Sequence, residues 1–437
     1  MRKDDMRKIF FIPVFVFLFL NAVSADTVPR PPDTLILSDL IQEALDNNPG
    51  LEAAVRRGLA AERTIPQAGS LPDPKITLAL ANLPVNSFAF DQEPMTGKQI
   101  AVMQTFPFPG KLSLSKDMAE KEAAAVRRQQ EETRNQVVQM VKRAYYDLYA
   151  VDRALETIQK NENLMGQLVR SAEIKYATGS GLQQDVLRAQ VELSKLEDDL
   201  IMWRQKRLAL GARLNAILNR PPGDPVGTTL PDLELPEEEE ISFSQTRIEE
   251  QRPLLLAWKQ KLARADAAVK LARREAWPNI ALGAAYTQRD DLKSGATMHD
   301  FFSVSVTLDV PLFYKRKQGQ RIAEKQLDFE AAEADYASVL NGILAEAESQ
   351  KAELERNRKR VELYQGGILL QARQSLESAQ AGYRVGKVDF LTVIDNWMGL
   401  YKYELQAHLA ISDYYKALAA YEFAVGKDVY GANAEQD

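Results

Sequence analysis

The chain has 437 residues, with 55 Lys and Arg against 61 Asp and Glu, a formal net charge of −6, and no cysteine. An acidic balance argues against nucleic acid as a partner, since phosphate binding needs clustered cations. Without cysteine there are neither disulfides nor thiolate metal sites.

At the N-terminus, Arg2, Lys3, Arg7 and Lys8 flank an apolar run over residues 9–20, and Val23-Ser24-Ala25 offers small residues for cleavage. This is the pattern of a secretory signal peptide over residues 1–25. The apolar run is well short of the roughly 20 residues that a membrane-spanning helix needs. Cleavage leaves 51 basic and 59 acidic side chains, a mature charge of about −8, and no cysteine to carry a lipid.

Residues 26–36 are Pro-rich and read as an extended lead-in. A short helix is expected from Ser38, acting as its cap, to about Arg63, with Pro66, Pro72 and Pro74 breaking it. Strands follow at about 75–83 and 98–106, joined by a loop over 84–97. The second half offers strands at about 279–288 and 301–310, joined by the polar loop 289–300. In the last of these, Ser303, Ser305, Thr307 and Asp309 alternate with Phe302, Val304, Val306, Leu308 and Val310, the period of a two-faced strand. Strands of about 9–10 residues suit a tilted transmembrane β-strand. Four cannot close a barrel, and lipid tolerates no open sheet edge. Either they form a small soluble sheet, or several chains pool them.

The helical segments are long. Residues 112–178 contain no proline, and the stripe Val137, Val141, Ala144, Leu148, Val151, Leu155, Ile158, Met165, Val169, Ala172 and Tyr176 keeps a heptad step, interrupted by Glu162. A returning helix over about 182–218 repeats the spacing, with Arg207 as its exception. Helices at about 315–384 and 389–425 form the second pair. Such a period implies antiparallel coiled-coil packing. Small residues at Ala123, Ala124, Ala125, Ala331, Ala332 and Ala334 permit close approach. Residues 221–240 are Pro-rich, end in four glutamates and read as a surface linker; residues 428–437 are a loose tail.

The chain also repeats itself. Tyr176-Ala-Thr-Gly179 returns as Tyr383-Arg-Val-Gly386, about 207 residues on. Pro74-Lys-Ile-Thr-Leu returns as Pro278-Asn-Ile-Ala-Leu, and Phe106-Pro107-Phe as Val310-Pro311-Leu, both about 204 residues on. Residues 26–220 and 241–427 are therefore two copies of one unit, each with a strand pair and a helical hairpin.

A signal peptide, duplicated strand pairs, long helical hairpins and Tyr-x-x-Gly tips together resemble the TolC family of outer-membrane efflux ducts, over about residues 37–427. The segment Gln104-Thr-Phe-Pro-Phe-Pro-Gly-Lys111-Leu is similar to the CzcC/CusC-like branch, which serves heavy-metal pumps of the resistance–nodulation–division type. The resemblance implies a mainly α fold with a small β part. Three chains would close a 12-stranded barrel, four strands each, continued by a long α-helical coiled-coil tunnel in the periplasm. It implies an outer-membrane location, and a homotrimer working with a periplasmic adaptor and an inner-membrane pump to export heavy-metal cations passively. A multidrug or type I protein-secretion duct is the nearest alternative, and a soluble periplasmic coiled-coil scaffold is the alternative of another class.

The resemblance also assigns positions. The turns at Gly179, Ser180, Gly181 and Leu182, and at Gly386, Lys387 and Val388, are expected at the periplasmic tips, where an adaptor would dock. Asp395, nine residues after Gly386, matches an inner gate aspartate, and Asp185 and Tyr383 match a linking pair. The second aspartate position holds Thr392, with Asp389 as a displaced substitute. A ring of like charges attracts counterions and repels co-ions.

No metal site or cofactor is expected. His299 and His408 are far apart and stand in no ligand spacing, and Met298-His299-Asp300 reads as a polar loop. No nucleophile–base set or phosphate loop points to an enzyme. Phe88, Phe90, Tyr286, Phe301 and Phe302 suit an aromatic girdle at a membrane interface.

Overall fold

A computed structural model describes residues 34–426 apart from 231–232 and 237–242. The signal peptide, the glutamate run and the tail expected above lie outside the described residues.

Two helices open the fold, α1 (Leu37–Asn47) and α2 (Pro49–Gly69). The single helix expected over 38–63 is therefore corrected. Asn48 accepts bonds from Gly50 N and Leu51 N, and Pro49 occupies the first helical position, so a new helix starts where the old one ends. Ser38 caps nothing; Ile36 stands at the cap without a side-chain bond. Nor does Pro66 break α2. It sits exposed in the last turn, and the helix stops at Ser70, whose hydroxyl donates to Pro66 O.

Strands β1 (Lys75–Ala81) and β2 (Gly97–Phe106) come next, then α3 (Lys111–Ala177) and α4 (Gln183–Ile217). The second copy runs α5 (Gln245–Gln251), α6 (Pro253–Glu275), β3 (Ile280–Gln288), β4 (Phe301–Leu308), α7 (Gln318–Leu363), α8 (Leu369–Arg384) and α9 (Phe390–Val425). α3 alone has 67 residues, roughly 100 Å at 1.5 Å per residue. β1 is shorter than expected because Asn82 adopts φ 55° and ties its carbonyl to Thr96 Oγ1. The long helix expected over 315–384 is interrupted by a π-turn at Tyr364–Ile368 that contains Gly366 and Gly367.

The four strands form one antiparallel sheet in the order β1-β2-β3-β4. Facing residues in such a ladder lie on the same side, so the register sorts the side chains. Leu78 faces Ile100, Ile100 faces Tyr286 and Tyr286 faces Phe302; Val102 faces Ala284 and Ala284 faces Val304. One side is thus an apolar band. The other side pairs Ala101 with Ala285 and Ala285 with Ser303, and carries Gly283, Ser305 and Thr307. Every residue of β4 is exposed, and Leu78 and Val304 are 77% and 72% exposed. Among the described residues, β1 and β4 each keep one edge without a partner strand.

Below the sheet, apolar clusters run along the helices. The coiled-coil seam holds, with two corrections. Between Ile158 and Met165 it passes through Asn161, which is buried, and leaves Glu162 at the side. The polar seam residue is satisfied, because Trp397 Nε1 donates to Asn161 Oδ1 at 2.7 Å. At the far end Tyr176 has left the seam and is 49% exposed. Arg207, the exception in α4, donates through Nε to buried Asp152 at 2.7 Å.

That pair also holds the linker. Asp152 Oδ2 accepts from Thr229 N and Oγ1, and Arg207 Nη2 donates to Gly227 O. Thr228 O in turn accepts from Leu35 N at 2.7 Å. The described part of the linker is irregular, as expected, but it is strapped to α3 and α4. A second buried pair joins Arg252, ahead of α6, to Glu132 of α3 at 2.6 Å.

Candidate functional site at the hairpin tips

Four helix ends converge at the end of the hairpins away from the sheet: the C-termini of α3 and α8 and the N-termini of α4 and α9. Buried Val169, Ala172, Ala189, Phe390 and Ile394 pack there with Val186 and Tyr383 around them. The two turns are built alike. Gly179 (φ 74°) and Gly386 (φ 73°) are left-handed, which glycine adopts without a Cβ penalty. Ser180 N donates to Lys175 O and Lys387 N to Gly382 O, both at 2.9 Å. These are the six-residue closures of a Schellman turn, at positions 207 residues apart.

The copies differ in how they fill the turn. A Cβ at Gly181 would lie 2.9 Å from Lys175 Cβ, and one at Gly382 would lie 2.6 Å from Val388 Cγ2. Shifted by 207, Lys175 corresponds to Gly382 and Gly181 to Val388. Each turn thus has room for one large residue, and the copies place it on opposite sides. Gly382→Val will overpack the second turn, with a cost of about 1–3 kcal/mol. Adding Val388→Gly will restore most of the thermal stability; no recovery in thermal unfolding of the double variant would refute the reciprocity.

Leu182, Lys387, Gly179, Ser180 and Gly386 are exposed, while Gly181 and Val388 are half-buried. All the expected tip residues therefore lie at one end of the molecule. Asp389 caps α9, accepting from Thr392 N at 2.8 Å and Thr392 Oγ1 at 2.5 Å. Those two bonds favour the carboxylate and hold its pKa below the usual 3.8. A depressed carboxylate pKa stabilises the fold above the unfolded value, and that stabilisation is lost as pH falls through the folded one. Leu182, which caps α4, has no side-chain bond to lose. Acidification will thus raise amide exchange in the first turn of α9 before that of α4, after correction for intrinsic rates; equal loss in both turns would argue against the cap.

Asp185 and Tyr383 do not meet within the chain: among the described residues no hydrogen bond joins them. Tyr383 instead lies under Lys175, whose Nζ is 3.8 Å from the ring centroid, and its ring tilts on Phe390 at 5.5 Å. Asp395 is 62% exposed and lies 3.9 Å from Arg188 Nη2, which also reaches buried Glu192 at 3.3 Å. A groove of 510 Å³ beside Asp395 is lined by Ser375, Asn396, Gln371 and Tyr403 and reaches Ile368 at the end of the π-turn. Arg188, Lys175 and Glu192 escaped the sequence reading. The i,i+4 spacing of Arg188 and Glu192 signals an ion pair within α4, but nothing in it points to Asp395.

The described residues contain no grouping of His, Asp and Glu able to hold a metal ion. At the opposite end, Phe302 (73%), Phe88 (68%) and Tyr286 (46%) are exposed. Phe301 lies on the small-residue side under Arg289, and Phe90 lies under Lys98.

Comparison with known proteins fits this arrangement. The chain is 21% identical over 447 residues to Outer membrane protein TolC of Vibrio cholerae, covering 97% of this chain and 98% of that one. Its fold is similar to the outer-membrane channel OprN, with a TM-score of 0.76 at 18% identity and 90% of each chain covered. It is similar to CusC as well, with a TM-score of 0.75 at 17% identity, covering 90% of this chain and 92% of that one. The profile described as Outer membrane efflux protein matches residues 40–220 and 246–427, one stretch in each half of the chain. The chain belongs to this outer membrane efflux protein family, as a TolC-like channel of the outer membrane rather than an enzyme.

Proposed function

We propose that three copies pool their strands into a 12-stranded barrel, and that the assembly is the exit duct of a tripartite efflux system. The observation that carries this reading is the sheet. It has an apolar side, a small and polar side, two unpaired edges, and helices of about 100 Å continuing from it. In lipid each unpaired backbone group costs several kcal/mol, so a four-stranded sheet has to be closed by more strands. A soluble scaffold would leave the apolar band in water without purpose, and family membership stands against it.

The duct is passive. A periplasmic adaptor docks at Gly179, Ser180, Gly181, Leu182, Gly386, Lys387 and Val388, and an inner-membrane pump of the resistance–nodulation–division type supplies the energy. Asp395 is the gate residue: three copies around the axis form an acidic ring, and Arg188 at 3.9 Å moderates its charge. Asp185 and Tyr383 link neighbouring helices in the closed ring. The cargo is a heavy-metal cation. That choice rests on the CzcC/CusC-like segment 104–112 and on the sign of the Asp395 ring.

Purified protein in planar bilayers tests the duct and its gate together. Asp395→Ala will weaken cation preference and block by divalent cations, and Arg188→Ala will strengthen both. Unchanged conductance and ion preference in both variants would remove Asp395 and Arg188 from the gate. For the cargo, a deletion strain will become sensitive to divalent metals; sensitivity to dyes and detergents alone would favour a multidrug duct.

A further inference from the structure

We infer that residues 312–317, where β4 gives way to α7, are a docking site for the headgroup of an anionic phospholipid in the inner leaflet of the outer membrane. The inference rests on the barrel reading above for which side of the sheet faces lipid.

The strands fix the depth of this segment. β1 and β3 start, and β2 and β4 end, at the helical end of the sheet, while the loops over 82–96 and 289–300 lie at the other end. With the helices in the periplasm, the residues after β4 stand level with the inner-leaflet headgroups. The apolar side of β4 runs out through Val306 and Leu308, and Val310 and Leu312 continue it at 65% and 81% exposure. Phe313 (73%) and Tyr314 (47%) follow, and then Lys315, Arg316 and Lys317, all exposed. Rings and cations set at the end of an apolar band suit the boundary between hydrocarbon and water.

The first copy has no such patch. A shift of 204 sets Phe313-Tyr314 against Pro109-Gly110, and Arg316-Lys317 against Leu112-Ser113. The cation that the copies share is turned inward in the first: Lys111 Nζ donates to Trp277 O at 2.6 Å and to Asn279 Oδ1 at 2.7 Å. Phe108 is likewise spent, stacked on Trp277 with centroids 5.1 Å apart. The duplication therefore explains the turn after the strand, but neither the extra rings nor the extra cations of the second copy.

Nothing in the chain neutralises those cations. Among the described residues none of the three is in an ion pair, and the neighbouring carboxylates Glu275 and Glu324 are held by Arg321 and Lys325. Asp309 N still donates to Asn279 O, so strand alternation puts its carboxylate with Ser305 and Thr307 on the small-residue side. No acidic residue stands in the first turn of α7, whose dipole disfavours cations at that end. In the proposed trimer the same shift brings Asp73 and Lys75 of the next protomer to the places of Trp277 and Asn279, one charge of each sign, and the surplus is unchanged. On a chain of net charge −6 this surplus is local. A lipid phosphate supplies the missing anion, and its acyl chains lie along the strip from Leu312 back to Val306. An acidic protein surface would meet the cations but has no use for a strip that runs on into the lipid-facing band.

Native mass spectrometry of the protein extracted from membranes into zwitterionic micelles reads the site. A basic residue near an anionic surface is worth about fivefold in affinity, so the protein will retain dioleoylphosphatidylglycerol at a concentration at least about tenfold below that needed for dioleoylphosphatidylcholine. Lys315→Gln/Arg316→Gln/Lys317→Gln will bring the two lipids to within about twofold of each other, whereas Lys315→Arg/Lys317→Arg will keep the preference. Equal retention of the two lipids by the unaltered protein would overturn the site whatever the variants do, and would leave the cations to an acidic protein surface. Displacement of the bound lipid by millimolar inorganic phosphate would show an adventitious anion site and overturn it as well. Either result from a heat-resistant trimer leaves the duct standing. A monomer that still selects phosphatidylglycerol would instead remove the trimeric reading and keep the site.

Discussion

Val304→Lys will abolish assembly in the outer membrane, whereas Ser303→Lys, its neighbour on the other side of the same strand, will be tolerated. Val304 lies in the middle of β4 on the apolar band, opposite Ala284, and is 72% exposed in the chain. In a barrel that side faces lipid. A lysine near the bilayer midplane costs about 2–4 kcal/mol. Three copies per barrel, far enough apart to add, bring this to about 6–12 kcal/mol, comparable with the roughly 5–15 kcal/mol that holds a typical domain folded. Ser303 faces Ala285 on the small-residue side, where a lysine would meet water in the lumen. The readout is heat-resistant trimer in the outer-membrane fraction. Equal loss, or equal survival, of the two variants would mean that the sides have been assigned wrongly.

Arg252→Ala will have the largest effect among substitutions in the helical body. Arg252 and Glu132 are 6% and 8% exposed at the side chain and meet at 2.6 Å, and the guanidinium lies 4.0 Å from the Phe423 ring. Gly426 closes the other side; a Cβ there would stand 3.0 Å from Arg252 Cα. Removing the arginine strands a carboxylate in a closed space, at a cost of about 3–5 kcal/mol. Burial already pushes the Glu132 pKa up, against the pull of Arg252. Without Arg252 it rises further, and a raised carboxylate pKa means stability that is present at low pH and lost as pH rises through the folded value. Thermal unfolding will therefore show a smaller deficit at about pH 5 than at about pH 8. Arg252→Met with Glu132→Leu will recover most of the loss, because a paired apolar replacement leaves no stranded charge. A double variant as unstable as the single would show that packing around Phe423, rather than charge, sets the cost.

What could be read from the sequence was what repeats along it. The two copies, the four strands and the heptad seams are periodic, and a period fixes which side chains share a side. The family resemblance drawn from them was right at that level. Features that depend on one contact were missed. Asn161 looks like a fault in an apolar stripe until Trp397, far away in sequence, is found to satisfy it. The strap through Asp152, Arg207 and Thr229 joins three segments that carry no common pattern. The break between α1 and α2 was legible, because Asn48-Pro49 is a helix-start signal, but the prolines further on drew the boundary instead. At the tips, the glycines could be found by matching the copies, and Asp395 by the family resemblance. Arg188 beside Asp395, and Lys175 over Tyr383, could not, since each joins helices from different copies.

The unclosed sheet has a consequence for the life of the chain before assembly. A protomer that has entered the periplasm must cross water with both strand edges bare and an apolar band uncovered, the two features that drive unrelated strands to stick together. In the proposed trimer the lone chain is thus the hazardous form and the completed ring the safe one. Encounter is bimolecular at first, so slow supply prolongs the exposed interval of each molecule. The yield of finished ducts in the proposed assembly therefore depends on how quickly copies meet.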